Sequence, residues 1–372
     1  MTRRTGGVGG GGDSSPGRGR RFTFEGEAAG RGARDRWGMT TRATRTGGTT
    51  YATRPPTCGP GSSRPGAVGR VLQVAALAAT VPYLCLKGAW LAGSRIGIPD
   101  GSVLLEPGVF FKVANAVTLV MDSAVIVLVL VLTRPWGVRV PSWLLTVPVF
   151  IATGLLVPIV VAFPAQRLMG ALGLGPDAAA RAAKEPFLHP WVFDVVYSGF
   201  IVQAIALTGL FVPYARRRWG RRWQGVLGER LPSPTGVVAG AAAATAVAVA
   251  AVELSWAFGG TAGLSASQIA QYDPQTGAVF ATHAMCALVA GAGAVTLARG
   301  GARRARVVLA VAWAGAAAAA CWGLWLLIGA WGATGPGEAV TTAMLLTYTA
   351  QMVTGLLAAA VLVRFLASRR TG

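Results

Sequence analysis

The sequence predicts an all-α protein, a polytopic membrane bundle of eight transmembrane helices, on three observations. Only 13% of its 372 residues are charged, against roughly 25% in an average soluble domain. Eight apolar runs each reach the roughly 20 residues that a helix needs to cross about 30 Å of hydrocarbon. The arginines gather in alternate connections between those runs, the asymmetry that fixes membrane orientation.

Residues 1–70 come first, with 18 glycines, 13 arginines and no apolar period. No core can offset the cost of ordering such a segment, so a disordered cytoplasmic tail is expected. No apolar stretch follows its early arginines, which argues against a signal peptide; Met39 offers a second start within it. Spans 1 to 4 are read as Val71–Ser94, Val113–Thr133, Trp143–Phe163 and Trp191–Tyr214, a first half covering 71–214. Arg134–Ser142 reads as a tight turn, and Pro164–Pro190 as a longer loop. Ala215–Ser233 follows, a basic loop with six arginines and one glutamate. Spans 5 to 8 are read as Pro234–Phe258, Gly277–Ala298, Val307–Trp331 and Val340–Leu366, a second half covering 234–366, with a short tail at 367–372.

With the N-terminus inside, the inner connections and C-terminal end hold fifteen Lys and Arg residues and the outer loops hold five: Arg95, Lys112, Arg167, Arg181 and Lys184. That alternation requires an even number of spans, places both termini in the cytoplasm and implies the cell membrane. Trp90, Trp136, Trp143, Trp191, Trp219, Trp256 and Trp331 fall near the span ends, as an interfacial aromatic belt requires. The net charge of +20 is spread over the tail and the connections, so it points to anionic lipid headgroups and not to nucleic acid. A protein partner or a homo-oligomer is compatible with the same surfaces. Cys58, Cys85, Cys286 and Cys321 show no metal or redox spacing, and read as small buried apolar residues.

The two halves echo each other. Span 1 ends Lys87-x-x-Trp90-x-x-Gly93 and span 5 ends Glu253-x-x-Trp256-x-x-Gly259. Spans 4 and 8 each carry a tyrosine and a glutamine, Tyr197 with Gln203 and Tyr348 with Gln351, and each runs into arginines. Four spans is an even number, so these are expected to be two parallel four-helix repeats. The stretch Glu253-Leu-Ser-Trp256-Ala-Phe-Gly259-Gly260 resembles the end of the first helix in a family of small four-span bacterial membrane proteins of unknown function, whose pattern is His-x-x-Trp-Ala-x-Gly-Gly. Glu253 and Lys87 stand where that family has histidine. The resemblance implies a fold and a repeat, and carries no activity to this chain.

Five ionisable side chains lie within or at the edge of spans: Lys87, Asp122, Asp194, Glu253 and His283. A charge in hydrocarbon costs on the order of 3 kcal/mol on insertion scales, so such residues face a polar interior or pair. All five fall in the outer half, which predicts one polar binding pocket opening outward. Lys87 and Glu253, at matching positions with opposite signs, are expected to pair across the axis relating the halves. Tyr197, Gln203, Tyr348 and Gln351 are expected to join helices by hydrogen bonds. No phosphate loop, HExxH or Ser-His-Asp arrangement is present in the sequence, and no ligand pair has metal spacing. No cofactor, metal or catalytic residue is therefore expected. The function read from sequence is a non-catalytic membrane subunit or partner protein, with a small-solute or proton-coupled carrier as the alternative and a lipid-modifying enzyme after it.

The charge asymmetry makes a direct prediction. A cysteine placed at Gly175 is expected to react with an impermeant thiol reagent added outside intact cells, and one placed at Gly225 is not. Labelling at Gly225 from outside sinks the orientation.

Overall fold

The computed structural model describes residues 66–105, 109–183, 187–332 and 339–369. Of the tail expected over 1–70, residues 1–65, with Met39 and Cys58, lie outside the described residues, as do Lys184 and Arg370, while Ala67–Arg70 are the first turn of the first helix and not part of a disordered segment. Among the described residues eight helices are long and apolar enough to span a membrane: α1 (Ala67–Leu91), α2 (Val109–Thr133), α3 (Ser142–Ala171), α5 (Pro190–Trp223), α6 (Ser233–Ala257), α8 (Pro274–Arg299), α9 (Ala305–Gly332) and α10 (Thr342–Ser368). Two short helices, α4 (Ala178–Ala183) and α7 (Ala266–Ala270), lie in the connections.

Several span boundaries differ from the sequence reading: α1 starts at Ala67, α2 starts before Lys112 and so carries it, and spans 3 and 4 are longer. Span 3 runs on past Phe163 to Ala171, which puts Arg167 on a helix. Its three interior prolines, Pro148, Pro158 and Pro164, lie within a continuous helix, as membrane helices commonly allow. Span 4 runs on past Tyr214 to Trp223, so the first part of the expected arginine loop is helical. Cations in its last turn, Arg221 and Arg222, complement the helix dipole. The turn after α2 is a short 3₁₀ segment, Pro135–Arg139.

The arginine-bearing connections meet at one end of the bundle. Strand β1 (Val226–Gly228) pairs antiparallel with β2 (Gly301–Arg304), joining the connection after α5 to the one after α8. The Arg369 guanidinium at the end of α10 donates to the carbonyls of Arg222, Gln224, Val226 and Leu227. Arg218 donates to the Val140 and Gly137 carbonyls, and Tyr214 donates to Gly137 O at 2.9 Å. These arginines therefore work as cross-links between loop backbones.

The second half is packed through small residues. A Cβ on Gly291 would meet the backbone of α6 at Ala243 and Ala242, and one on Gly315 would meet Ala290 of α8. A Cβ on Gly355 would lie 2.1 Å from Ala320 N in α9. In the first half, α1 packs on α5 and α2, while α3 shares more of its border with α9 and α8 than with α5 or α2. That border is the junction of the halves. There Gly154 sits against Ala317 and Cys321, Trp313 Nε1 donates to Thr153 Oγ1 at 3.3 Å, and Trp322 Nε1 donates to Leu155 O at 3.1 Å.

At the end opposite the arginine cluster both halves build the same turn. Trp90 Nε1 donates to Ile96 O at 2.8 Å, and Trp256 Nε1 donates to Ala262 O at 2.9 Å, each six residues on. Ser94 N bonds Ala89 O and Gly260 N bonds Ser255 O at the corresponding step, both at 2.8 Å. Gly93 and Gly259 take φ values of 89° and 86°, and Gly97 and Gly263 take 76° and 82°, a region that a Cβ disfavours. One difference from the sequence reading is Cys85, which is exposed on α1, whereas Cys286 is buried.

Packing of this kind is testable by size alone. Gly355→Leu is expected to abolish a monodisperse, cooperatively melting protein, because a backbone nitrogen cannot give way to the added side chain. Gly240→Leu, where a Cβ meets nothing within 4 Å, is expected to leave the melting curve unchanged. Equal melting of the two variants would refute the close α9–α10 contact.

Candidate functional site

The ionisable side chains of the spans meet their nearest polar neighbours within their own half, and the pairing differs from the expected one. Lys87 Nζ donates to Asn115 Oδ1 at 2.6 Å, from α1 to α2. Its ammonium also stands 5.0 Å from the Trp90 ring and 5.1 Å from the Tyr83 ring, within cation–π range. Asp122, on the same stripe of α2 as Asn115 and Thr118, accepts from Gln203 Nε2 of α5 at 3.4 Å through Oδ1. Asp194 of α5 forms an ion pair with Arg167 of α3. Glu253 of α6 stands 4.0 Å from His283 Nδ1 of α8. The expected Lys87–Glu253 pair is therefore replaced by two local ones. A long side chain on α1 reaches the adjacent α2, and α1 packs on α2 and α5, not on α6.

The single outward pocket expected from five charges is accordingly divided. Lys87, Asp122 and their partners sit among α1, α2 and α5. Glu253 and His283 sit between α6 and α8. His283 alone of the five lines the large cleft, which lies at the junction of the halves among α3, α5, α8 and α9. The cleft has a volume of about 1070 Å³, at the upper end of the range for small-molecule sites. Its apolar walls include Ile159, Phe163, Phe193 and Trp322; its polar groups include Gln166, Tyr197 and Gln275. A smaller, equally open recess of about 220 Å³ shares Gln166, Val279 and His283 with it and is lined also by Gln268, Thr276 and Tyr348. The His283 ring packs on Trp322 with centroids 5.4 Å apart.

Glu253 carries the sharpest electrostatic demand. It is 0% exposed, and neither carboxyl oxygen has a hydrogen bond from a described residue. Gln351, also 0% exposed, has neither amide atom bonded among the described residues, so it does not join helices by hydrogen bonding as expected. Tyr348 is buried and lines the recess. Tyr197 lies edge-on to Phe163 of α3 with centroids 5.2 Å apart, and lines the cleft. Among the described residues no group of three His, Cys, Asp or Glu side chains could hold a metal ion.

Sequence reasoning missed Asn115, Arg167 as the partner of Asp194, and the glutamines around His283. A signal existed for the first: Asn115 is the chain's single asparagine and precedes Asp122 by seven residues, two helical turns. No family model, curated protein or solved structure matches this chain.

Pairing within halves predicts specific couplings. Lys87→Met and Asn115→Leu are expected to be non-additive in a double-mutant cycle of thermal stability, with an interaction energy of about 0.5–3 kcal/mol. Lys87→Met and Glu253→Gln are expected to add. Additivity of the first pair, or coupling of the second, would contradict the contacts described.

Proposed function

We propose that this protein is a carrier in the cytoplasmic membrane, with both termini and the arginine-rich end facing the cytoplasm, that moves a small solute in exchange or symport with protons. The likeness of the α6 end to the four-span family belongs to the same proposal, as does the origin of the two halves by repetition. The observation that carries the reading is Glu253, fully buried and unbonded, beside a histidine that lines a cleft between the two halves. Carboxylates at membrane depth are costly and mark ion or proton paths. Solute sites of carriers built from repeats lie at the border between the repeats. A purely structural membrane subunit, the first expectation from sequence, has no need of an uncompensated carboxyl at that place.

The test is flux. Protein reconstituted into liposomes loaded with a pH indicator is challenged with a panel of small amines, carboxylic acids, alcohols and sugars. At least one is expected to drive a protein-dependent pH change. Glu253→Gln is expected to reduce it to the protein-free background, while Glu229→Gln, in the exposed connection after α5, leaves it intact. A panel in which no compound moves protons above the protein-free control overturns the reading.

A further inference from the structure

We infer that the solute is an organic cation, an amine with an aromatic or aliphatic body, and that it binds by displacing the proton held by the Glu253–His283 pair. This rests on the carrier reading above and names its substrate class.

Three features of the paired spaces select for that chemistry. The first is the arrangement of body and head. The cleft offers Ile159, Phe163, Phe193 and Trp322 to an apolar body, while the smaller recess gathers Gln268, Thr276, His283 and Tyr348. The second is the kind of polar atom on offer. Gln268 Oε1, in the wall of the recess, is a buried acceptor without a donor among the described residues, and the Glu253 carboxyl lies behind that wall rather than in it. A head group that brings N–H donors satisfies such a wall, and one that brings only acceptors leaves it unpaired. The third is charge. Among the described lining residues Arg167 is the one cation, and its guanidinium is committed to Asp194. An anionic head finds only an ion-paired guanidinium there, whereas a cationic head finds a carboxyl behind His283 and the aromatic side chains of Phe280 and Tyr348, with Trp322 in the adjoining cleft.

The histidine connects that carboxyl to the recess. Its Nδ1 edge faces Glu253 Oε1 at 4.0 Å, and the ring lines both spaces, so Nε2 is the nitrogen left to meet a ligand. Other titratable groups facing the pair are Tyr348 from α10, Tyr197 from α5 across the cleft, and Arg167 of α3, already paired. Cys286 follows one turn on in α8 and is buried. Low dielectric penalises net charge, so the empty site holds a neutral carboxyl next to a neutral imidazole protonated at Nε2. When an ammonium enters, a small rotation closes the 4.0 Å gap. The Glu253 O–H bond breaks as an N–H bond forms at Nδ1, and the Nε2–H bond breaks with its proton leaving to water in the cleft. The freed Nε2 lone pair then accepts the ligand's N–H. One proton leaves as one cation enters, no electron is transferred, and the site with its ligand is neutral in both states.

The experiment uses the full chain in lipid nanodiscs and three probes that share one body: phenylbutylamine, phenylbutanoate and phenylbutanol. Binding is read by tryptophan fluorescence and proton movement by a dissolved indicator in weak buffer. The amine is expected to bind most tightly and to release one proton per site. Its affinity should rise about tenfold for each unit of pH over the range where the release is complete. Glu253→Gln and His283→Gln are expected to abolish the release, and Glu229→Gln to preserve it. Wild-type protein that binds the amine without releasing a proton overturns the inference, as does equal or tighter binding of phenylbutanol. If phenylbutanoate instead binds with proton uptake that Glu253→Gln removes, the carrier reading stands and the cation assignment falls. If none of the three probes binds or moves a proton while the reconstituted protein still couples some other solute to protons, the cation assignment alone falls.

Discussion

The structure depends on one constraint: within hydrocarbon there is no water to answer a polar group, so every charge must find its partner inside the protein. The bundle meets that constraint helix by helix. Lys87 is held by Asn115 and two aromatic faces, Asp122 by Gln203, and Asp194 by Arg167. Each arrangement ties one helix of the first half to another, beside an apolar core that includes Ala76, Val129, Leu145 and Ala206. Glu253 stands apart, since its only ionic neighbour is a histidine beyond hydrogen-bond reach.

The second half solves the association problem in another way. Its helices approach through Gly291, Gly315, Gly323 and Gly355 against alanines and backbone, the close packing that substitutes for a hydrophobic driving force in lipid. Helices bound so tightly hold their relative positions, and a carboxyl trapped between two of them cannot move to water. The unbonded state of Glu253 is therefore sustained by the packing around it. The arginine end is rigid for a different reason, with Arg218 and Arg369 each satisfying several loop carbonyls at once.

Much of this was legible in the sequence because it depends on local pattern. Apolar runs of sufficient length locate all eight spans, and Lys87-x-x-Trp90 with Glu253-x-x-Trp256 marks two turns whose indole bonds and glycine conformations match step for step. Helix ends were less legible. Arg216 to Arg222 look like a loop by hydropathy, yet they continue α5, because arginine is a good helix former and its long stem lets the charge leave the bilayer. What sequence could not supply was the neighbour across space. Matching positions suggested that Lys87 and Glu253 meet, but equivalent residues of two repeats touch only if they lie near the axis relating them. By hydropathy Arg167 reads as a loop residue, and its pairing with Asp194 depends on α3 continuing to Ala171.

The junction of the halves joins these threads. α3 belongs to the first half by sequence and to the second by packing, held there by Gly154 and by the indole bonds of Trp313 and Trp322. The same helix supplies Ile159, Phe163 and Gln166 to the cleft, and Trp322 both anchors α3 through Leu155 and covers the His283 ring. Displacement of α3 along α9 therefore changes the volume of the cleft and the cover over His283 together. Pro158, lining the cleft one turn beyond Gly154, supplies no N–H to the Gly154 carbonyl, so the helix can bend where the cleft wall begins. On the carrier proposal, a solute in the cleft would press on α3, which packs against the second half, and through Trp322 on the histidine beside Glu253. The position of α3, the cleft and the cover over His283 thus belong to a single packing arrangement.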